Sequence, residues 1–303
     1  MESYQFYSHG KLLLTGEYLV LDGAEALAIP CKFGQQLSVA ASTTDVSTWL
    51  SYDYQNRIWL EIEFDLFKVI HHDLQGQNDI EKRLFQILRE VNQLNAKVFT
   101  QNYNFKTRLE FPQNWGLGTS STLIANLARW AKVNPYELLN NTFGGSGYDI
   151  ACADAESPLV YSINQGTPRL KSARIPDIIK PHFYFVHLGE KQNSRDAIAN
   201  YRSTQPESLE RFISKVNSIT EEFQRVQSLE RAEKLIQSHE SILSEILKID
   251  TVKSRLFPDF KGSIKSLGAW GGDFVMVLCH EDPSSYFKNK GYSTILPYTD
   301  MSL

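Results

Sequence analysis

The residues with the clearest chemical potential form a glycine-rich stretch, PQNWGLGTSST, over residues 112–122. Gly116 and Gly118 let the backbone approach a ligand closely and adopt torsions that are closed to other residues. The following residues have helical spacing, and the start of a helix offers unpaired N–H groups and a partial positive charge. The stretch therefore favours phosphate binding, although a glycine turn with a Ser/Thr helix cap would use the same residue types.

Spacing excludes two familiar nucleotide-binding motifs at this stretch. No Gly-Lys-Ser/Thr closes it, so it is not a Walker A loop. It also lacks the third glycine of the dinucleotide-binding fingerprint. The hydroxyls of Thr119, Ser120, Ser121 and Thr122 remain as hydrogen-bond donors, and one of them could bind magnesium.

Two further glycine segments could contribute to the same chemistry. In FGGSGYDIA, residues 143–151, an irregular backbone delivers Asp149, which could accept a proton from a substrate hydroxyl or help to position magnesium. The alternative for Asp149 is a helix N-cap. In KSLGAWGGD, residues 265–273, the glycines again permit close approach to a bound group, or form a turn before a strand.

Regular elements must position these segments. Short apolar or alternating runs predict early strands, and helical spacing predicts helices on both sides of the first glycine stretch. The predicted strands are Lys11–Leu14, Tyr18–Leu21, 36–41 and 57–64, and the predicted helices are Ile80–Leu94 and 123–130. A turn is expected at Asp22-Gly23.

The second half of the chain continues this mixture. Asn134-Pro135-Tyr136-Glu137 predicts a helix start, with an N-cap, a proline in the first turn and a capping-box glutamate. The remaining predicted strands are 158–162, 183–188 and 274–278, and a helical region over 207–248 is broken near Gln227-Ser228. The order favours an α+β protein in two lobes, 1–170 and 171–303.

Composition narrows the class of protein. The 303 residues are 42% hydrophobic and carry a formal net charge of -4, which argues against a general nucleic-acid binder. The three cysteines lack the paired spacing of a disulfide framework or a cysteine zinc site. No apolar run is long enough to cross a bilayer, and the N-terminal residues lack the pattern of a signal peptide. We therefore expect a cytoplasmic protein without a membrane partner.

Together with GKLLLTGEY at residues 10–18, the three glycine segments resemble the motifs of the GHMP kinase superfamily, in the same order. The first stretch is similar to its phosphate loop, Pro-x-x-x-Gly-Leu-Gly-Ser-Ser. The resemblance spans nearly the whole chain. It implies an N-terminal lobe like the second domain of ribosomal protein S5 and a ferredoxin-like C-terminal lobe. It also implies transfer of the γ-phosphoryl group from ATP, with Mg²⁺, to a small alcohol or phosphate acceptor, which is expected to be anionic.

The resemblance implies a role for each matching residue. Asp149 would accept or orient the acceptor proton, and Lys11 would counter its charge and steady the phosphoryl group. Ser120 would bind magnesium. The residues assigned to the ATP phosphates are Gly116, Leu117, Gly118, Thr119, Ser120 and Ser121, and those assigned to the acceptor are Glu17, Tyr18, Ser146, Gly147, Ser194, Gly268 and Ala269.

Within the superfamily, the motifs are most similar to those of phosphomevalonate kinases and next to those of mevalonate kinases. The expected acceptor is therefore phosphomevalonate or mevalonate, as in isoprenoid precursor synthesis. Two alternatives remain open. One is a decarboxylase of diphosphomevalonate, and the other is a nucleotide- or metabolite-binding relative that has lost catalysis. The sequence leaves the oligomeric state open between monomer and homodimer.

Several positions depart from the family pattern. Asn114 and Trp270 stand where glycine is common, and Leu138 stands where mevalonate kinases carry a magnesium-binding glutamate. Asn can partly imitate glycine because it tolerates left-handed torsions. A polar stretch with Lys191 and Arg195 could contact an anionic acceptor, or could be a solvated loop.

Overall fold

The computed structural model describes residues 3–189, 194–204, 208–268 and 273–303. The chain divides into two compact units built from interleaved segments. Unit 1 comprises Met1–Gly10, Phe33–Gln113 and Gly118–Asp154, and unit 2 comprises Lys11–Lys32, Asn114–Leu117 and Ala155–Leu303. The single lobe boundary expected after residue 170 stays a prediction.

Unit 1 combines a sheet with helices. Its strand order is β4-β3-β5-β2; β3 runs parallel to β5, and the other two pairs are antiparallel. The strands are β1 (Ser3–Leu13), β2 (Ala26–Ala41), β3 (Ser47–Tyr52), β4 (Ile58–Phe64) and β5 (Tyr103–Leu109). The helices are α1 (Leu66–Ile70), α2 (Asp79–Leu94), α3 (Thr119–Ala131), α4 (Pro135–Thr142) and α5 (Tyr148–Ala153). β1 pairs with β2, and both strands continue into unit 2.

Helix α3 is fixed in unit 1 by apolar packing and by one buried amide. Its residues Ile124, Leu127 and Ala128 belong to the hydrophobic core of this unit. The side chain of Asn126, fully buried, donates to the backbone oxygen of Gln35 at 2.9 Å and accepts from the hydroxyl of Ser8 at 2.9 Å. Because a buried amide is costly unless its hydrogen bonds are made, these bonds define the placement of α3 as well as its burial.

Unit 2 contains a four-stranded antiparallel sheet in the order β11-β8-β10-β9. Its strands are β6 (Leu159–Asn164), β7 (Thr167–Ser172), β8 (Phe183–His187), β9 (Ser263–Ser266), β10 (Phe274–Leu278) and β11 (Ile295–Pro297). β6 and β7 form an antiparallel pair beside the first residues of β2. The order of the four-stranded sheet, with helices after β8 and after β10, is the ferredoxin-like arrangement predicted for the C-terminal lobe.

Several helices of unit 2 pack against this sheet and complete a second core. They are α6 (Ser194–Ser203), α7 (Leu209–Phe223), α8 (Leu229–Leu247), α9 (Val252–Leu256), α10 (Ser284–Asn289) and α11 (Tyr298–Met301). The core includes Val186, Phe257, Val275 and Phe287, all fully buried. The mixed α+β class predicted from the sequence is thus confirmed.

One predicted element is wrong. Tyr18–Leu21 was expected to be a strand, but Leu19–Asp22 forms a short 3-10 helix. Tyr18 has φ 63 and Gly23 has φ 93, so the chain leaves the extended region on both sides of this helix. Leu19 and Val20 are buried, and a short buried apolar run does not distinguish a strand from a helical turn by periodicity alone.

The N-cap, the proline in the first turn of α4 and the helix break are confirmed. The side chain of Asn134 accepts hydrogen bonds from the backbone N–H groups of Tyr136 and Glu137 at the start of α4. The long helical region is broken between Phe223 and Leu229, and Ser228 caps α8. The three cysteines are buried thiols. No helix among the described residues has the length and apolarity needed to cross a membrane.

Candidate functional site

Lys11 forms hydrogen bonds to the first half of the glycine-rich stretch 112–122, called the glycine loop below. The bonded residues all belong to unit 2. Its backbone N–H donates to the carbonyl of Leu117 at 3.1 Å, and its side-chain Nζ donates to the carbonyl of Gly116 at 3.1 Å. The lysine is 9% exposed. The strand that carries Lys11 therefore fixes the loop backbone and places an ammonium group beside it.

The carboxylate of Asp273 lies directly against the same loop residue. Gly116 has φ 66, and a Cβ atom placed there would lie 2.5 Å from Oδ2 of Asp273. A Cβ at Gly268 would lie 3.1 Å from the same oxygen. Only glycine fits at position 116 without displacing this side chain. The first and third glycine segments, which are far apart in sequence, thus meet in unit 2.

The second half of the loop opens α3 in unit 1. Gly118, at φ 89, is the N-cap of this 13-residue helix and offers no side chain to the first N–H groups. Ser120 is exposed, whereas Ser121 and Thr122 are buried. The hydroxyl of Thr122 donates to Oε1 of Gln35 at 2.7 Å, which helps to fix the start of the helix. The amide donors and the Ser120 hydroxyl suit an anion with an associated cation.

Asp149 lies in the first turn of α5, also in unit 1, and is partly exposed. The N-cap of this helix is Gly147, at φ 84. The alternative in which Asp149 serves as the N-cap is therefore wrong, and its carboxylate is not committed to that role. Ser146 precedes the cap and is also partly exposed.

The predicted acceptor residues fall into different environments. Tyr18 is 8% exposed, and its ring packs against that of Tyr201 with 5.5 Å between centroids. Glu17 is 3% exposed and forms a buried ion pair with Lys265. Ser194 begins α6. Lys191, Ala269 and Trp270 lie outside the described residues.

Two family departures have local explanations. Asn114 lies in the 3-10 turn Gln113–Trp115 and does not have a positive φ, so this backbone needs no glycine there. Its carbonyl is 3.0 Å from Nε2 of His187. Leu138 is fully buried in the core of unit 1, and its neighbour Glu137 is exposed.

Sequence reasoning missed a buried charge cluster in unit 2, formed by Glu17, His239, Glu240 and Lys265. All four side chains are at most 3% exposed. Burial raises the pKa of the Glu240 carboxyl to about 8, although the nearby Lys265 charge opposes the shift. Burial also lowers the pKa of His239 and raises that of Glu17. One sequence signal could have indicated this cluster: the ionisable residues His239 and Glu240 lie on the apolar face of α8, with Leu235, Ile236 and Leu243.

Comparison with known proteins identifies the fold. No protein-family profile matches the sequence, and no curated protein sequence is detectably similar. Solved structures do match over almost the whole chain. The Methanococcus jannaschii mevalonate kinase has a TM-score of 0.67 at 14% identity, with 95% of this chain and 94% of that chain covered. The chain has the GHMP kinase fold.

Two further GHMP kinases extend the comparison. The Streptococcus pneumoniae phosphomevalonate kinase, solved with phosphomevalonate and AMPPNP, has a TM-score of 0.67 at 16% identity, with 95% of each chain covered. The Lactococcus lactis galactokinase, solved with galactose, has a TM-score of 0.68 at 14% identity, with 95% of this chain and 88% of that chain covered. These kinases act on different acceptors, so the GHMP fold does not specify the acceptor.

If the loop binds the phosphates of a nucleotide, Gly116→Ala should weaken that binding, because the new methyl group would collide with Asp273 and displace the loop. We expect the Kd for AMPPNP to rise by at least about tenfold, measured by isothermal titration calorimetry. Gly166→Ala is the matched control, since Gly166 also has a positive φ, of 76, but a Cβ added there would meet nothing within 4 Å. Equal effects of the two variants would show that the loss of binding does not depend on the contact between position 116 and Asp273.

Glu240 should make the folded state less stable as the pH rises. Its folded pKa is raised from 4.5 to about 8, so the folded state binds the proton more tightly than the unfolded state. This stabilisation is complete below pH 4.5 and is lost as the pH rises through about 8, by about 1.4 kcal/mol for each unit of pKa shift.

Urea denaturation between pH 5 and about 8.5 measures this loss. Glu240→Gln should flatten the decline in unfolding free energy, because the amide does not titrate. Glu245→Gln, at an exposed position on the same helix, should leave the decline unchanged. An identical decline in wild type and Glu240→Gln would contradict the assignment.

Proposed function

We propose that this protein is an ATP-dependent kinase that transfers the γ-phosphoryl group to a small anionic acceptor. The observation that carries the proposal is the contact of the Lys11 ammonium with the Gly116 carbonyl. It places a positive charge at a loop whose glycines and helix start favour phosphate. The GHMP kinase fold agrees with this chemistry.

The residues present fit ATP and Mg²⁺. Gly116 has no room for a side chain, and the first turn of α3 offers backbone donors over Gly118–Ser121. These groups would hold the triphosphate. The exposed hydroxyl of Ser120 would supply one oxygen ligand to magnesium, an ion that commonly keeps several of its waters. Bound Mg²⁺ neutralises charge on the phosphates.

Asp149 and Lys11 would perform the transfer. Asp149 would accept or orient the proton of the attacking acceptor oxygen, which is a hydroxyl oxygen in mevalonate and a phosphate oxygen in phosphomevalonate. Lys11 would neutralise the charge that develops on the transferring group, because phosphoryl transfer is accelerated chiefly by positioning and electrostatic stabilisation. Its two hydrogen bonds to the loop would hold the ammonium ready for this role.

Phosphomevalonate and mevalonate are the acceptors that the sequence motifs favour, which would place the reaction in isoprenoid precursor synthesis. The proposed acceptor contacts are Tyr18, Ser146, Gly147, Ser194, Gly268 and Ala269; Glu17, which the resemblance also implies, is buried in an ion pair with Lys265 and is not kept among them. A binding protein without turnover is the second candidate. It is favoured by the burial of Leu138 in the core, at the position where mevalonate kinases use a magnesium ligand.

A coupled ADP-release assay tests the proposal with mevalonate, phosphomevalonate, homoserine and sugars as acceptors. We expect one anionic acceptor to stimulate ADP release well above the rate without acceptor. Carbon dioxide release with diphosphomevalonate would instead indicate a decarboxylase. No stimulation by any acceptor, with AMPPNP still bound, would favour the binding protein.

Asp149→Asn and Lys11→Met should each lower kcat by about 100-fold or more. The Kd for AMPPNP should change far less, because each variant removes an interaction that is needed mainly in the transition state. The matched controls are Asp154→Asn, at the C-cap of the same helix α5, and Lys106→Met, at an exposed position on β5. Full activity in either test variant would remove that residue from the mechanism.

A further inference from the structure

The buried charge cluster holds two consecutive residues of the N-terminal motif. Nζ of Lys265, on β9, donates to Oε1 of Glu17 and to the carbonyl of Ser266. The backbone N–H of Gly16 donates to Nε2 of His239, on α8, at 2.9 Å. His239 is therefore neutral, with its proton on Nδ1, because Nε2 must present a lone pair. All of these groups belong to unit 2.

The segment 16–18, which the cluster contacts and which is called the held segment below, has an unfavourable backbone conformation. Gly16 has φ 87, and a Cβ there would lie 2.7 Å from Cβ of Ala26. Tyr18 has φ 63, which is unfavourable for a residue with a side chain. The segment begins just after β1, the strand that carries Lys11. Its conformation thus determines where this strand ends relative to the rest of unit 2.

A contribution to the stability of the fold does not by itself explain this buried charge cluster. Among the described residues, several buried atoms find no hydrogen-bond partner: Oε2 of Glu17, Nδ1 of His239, both carboxylate oxygens of Glu240 and Oγ of Ser266. Desolvation of two opposite charges commonly offsets their attraction, and apolar replacements can be equally stable. The geometric constraint on Gly16 and Glu17 is the feature that an apolar core would not reproduce.

The ion pair also joins two motif segments. Lys265 is the last residue but one of its strand, three residues before Gly268, and the N–H of Leu267 donates to the carbonyl of Phe274, next to Asp273. Asp273 packs against Gly116, whose carbonyl accepts from Lys11. The chain of contacts therefore runs from Glu17 through Lys265 to the Gly268 and Asp273 backbone, and then back through Gly116 to Lys11.

We propose that Glu17 and Lys265 are positioning residues, which fix the N-terminal motif against the C-terminal glycine segment and thereby place Lys11 at the phosphate loop. Glu17 then acts through Lys265 and does not contact the acceptor. The catalytic part of this inference rests on the proposed kinase function. Its structural part is independent of that function.

The test uses Glu17→Gln/Lys265→Met, which removes both charges while it keeps side chains of similar size. Hydrogen–deuterium exchange is followed over residues 11–21, and kcat and KM for ATP are measured in the ADP-release assay. Lys171→Met is the matched control, because Lys171 pairs with Glu25 at an exposed site in the same unit. Exposed ion pairs of this kind contribute little to the free energy of unfolding.

We expect the double variant to remain folded, with exchange over residues 11–21 at least about tenfold faster and kcat at least about tenfold lower. KM for ATP should change less than about threefold, and Lys171→Met should match wild type. If the double variant does not fold, Glu17→Gln alone is measured against the same criteria.

Two outcomes would overturn the proposal. Wild-type exchange with reduced kcat would indicate that Glu17 contacts the acceptor directly. Faster exchange with unchanged kcat would show that the held segment does not matter for the reaction. If wild-type protein releases no ADP with any acceptor, the kinase function fails separately. The exchange measurement then still decides whether the ion pair fixes the segment.

Discussion

The arrangement around Gly116 depends on a close approach that only glycine permits. Its carbonyl accepts from the Lys11 ammonium, and the carboxylate of Asp273 occupies the space where a side chain would lie. A cation and an anion are thus fixed beside one backbone unit in the first half of the glycine loop. The GHMP kinase fold supplies the strand that ends near Lys11 and the strand that starts at Phe274. Both strands must be correctly placed for this contact to exist.

The same unit keeps a second set of charges away from solvent. Glu17 and Lys265 are paired, His239 is neutral, and Glu240 has a carboxyl pKa raised to about 8 by burial. With Glu240 protonated, the cluster has no net charge, which limits the cost of burying it. The cluster lies next to two motif segments, so the free-energy cost of burying it is linked to the geometry of the glycine loop. We therefore expect removal of the Glu17 and Lys265 charges to disturb the placement of Lys11 while the protein remains folded.

Much of this fold could be predicted from local signals. Gly116 and Gly118 signalled a loop of unusual torsions, Asn134 signalled a helix start, and the break near Ser228 separated two helices. The 3-10 helix at Leu19–Asp22 could not be predicted, because its apolar residues fit a strand equally well. Nor could the pairing of Glu17 with Lys265, since 248 residues separate them and neither position has a pattern that indicates a partner. Spacing predicts local conformation, whereas a long-range ion pair depends on the completed packing.

The central claim is that the glycine loop binds the phosphates of ATP. A crystal structure of the protein with Mg²⁺ and AMPPNP tests it most directly. The account predicts phosphate oxygens within about 3 Å of backbone N–H groups in residues 116–121, with the Lys11 ammonium beside the same phosphates. A nucleotide bound elsewhere, or a triphosphate that does not contact this loop, would contradict it.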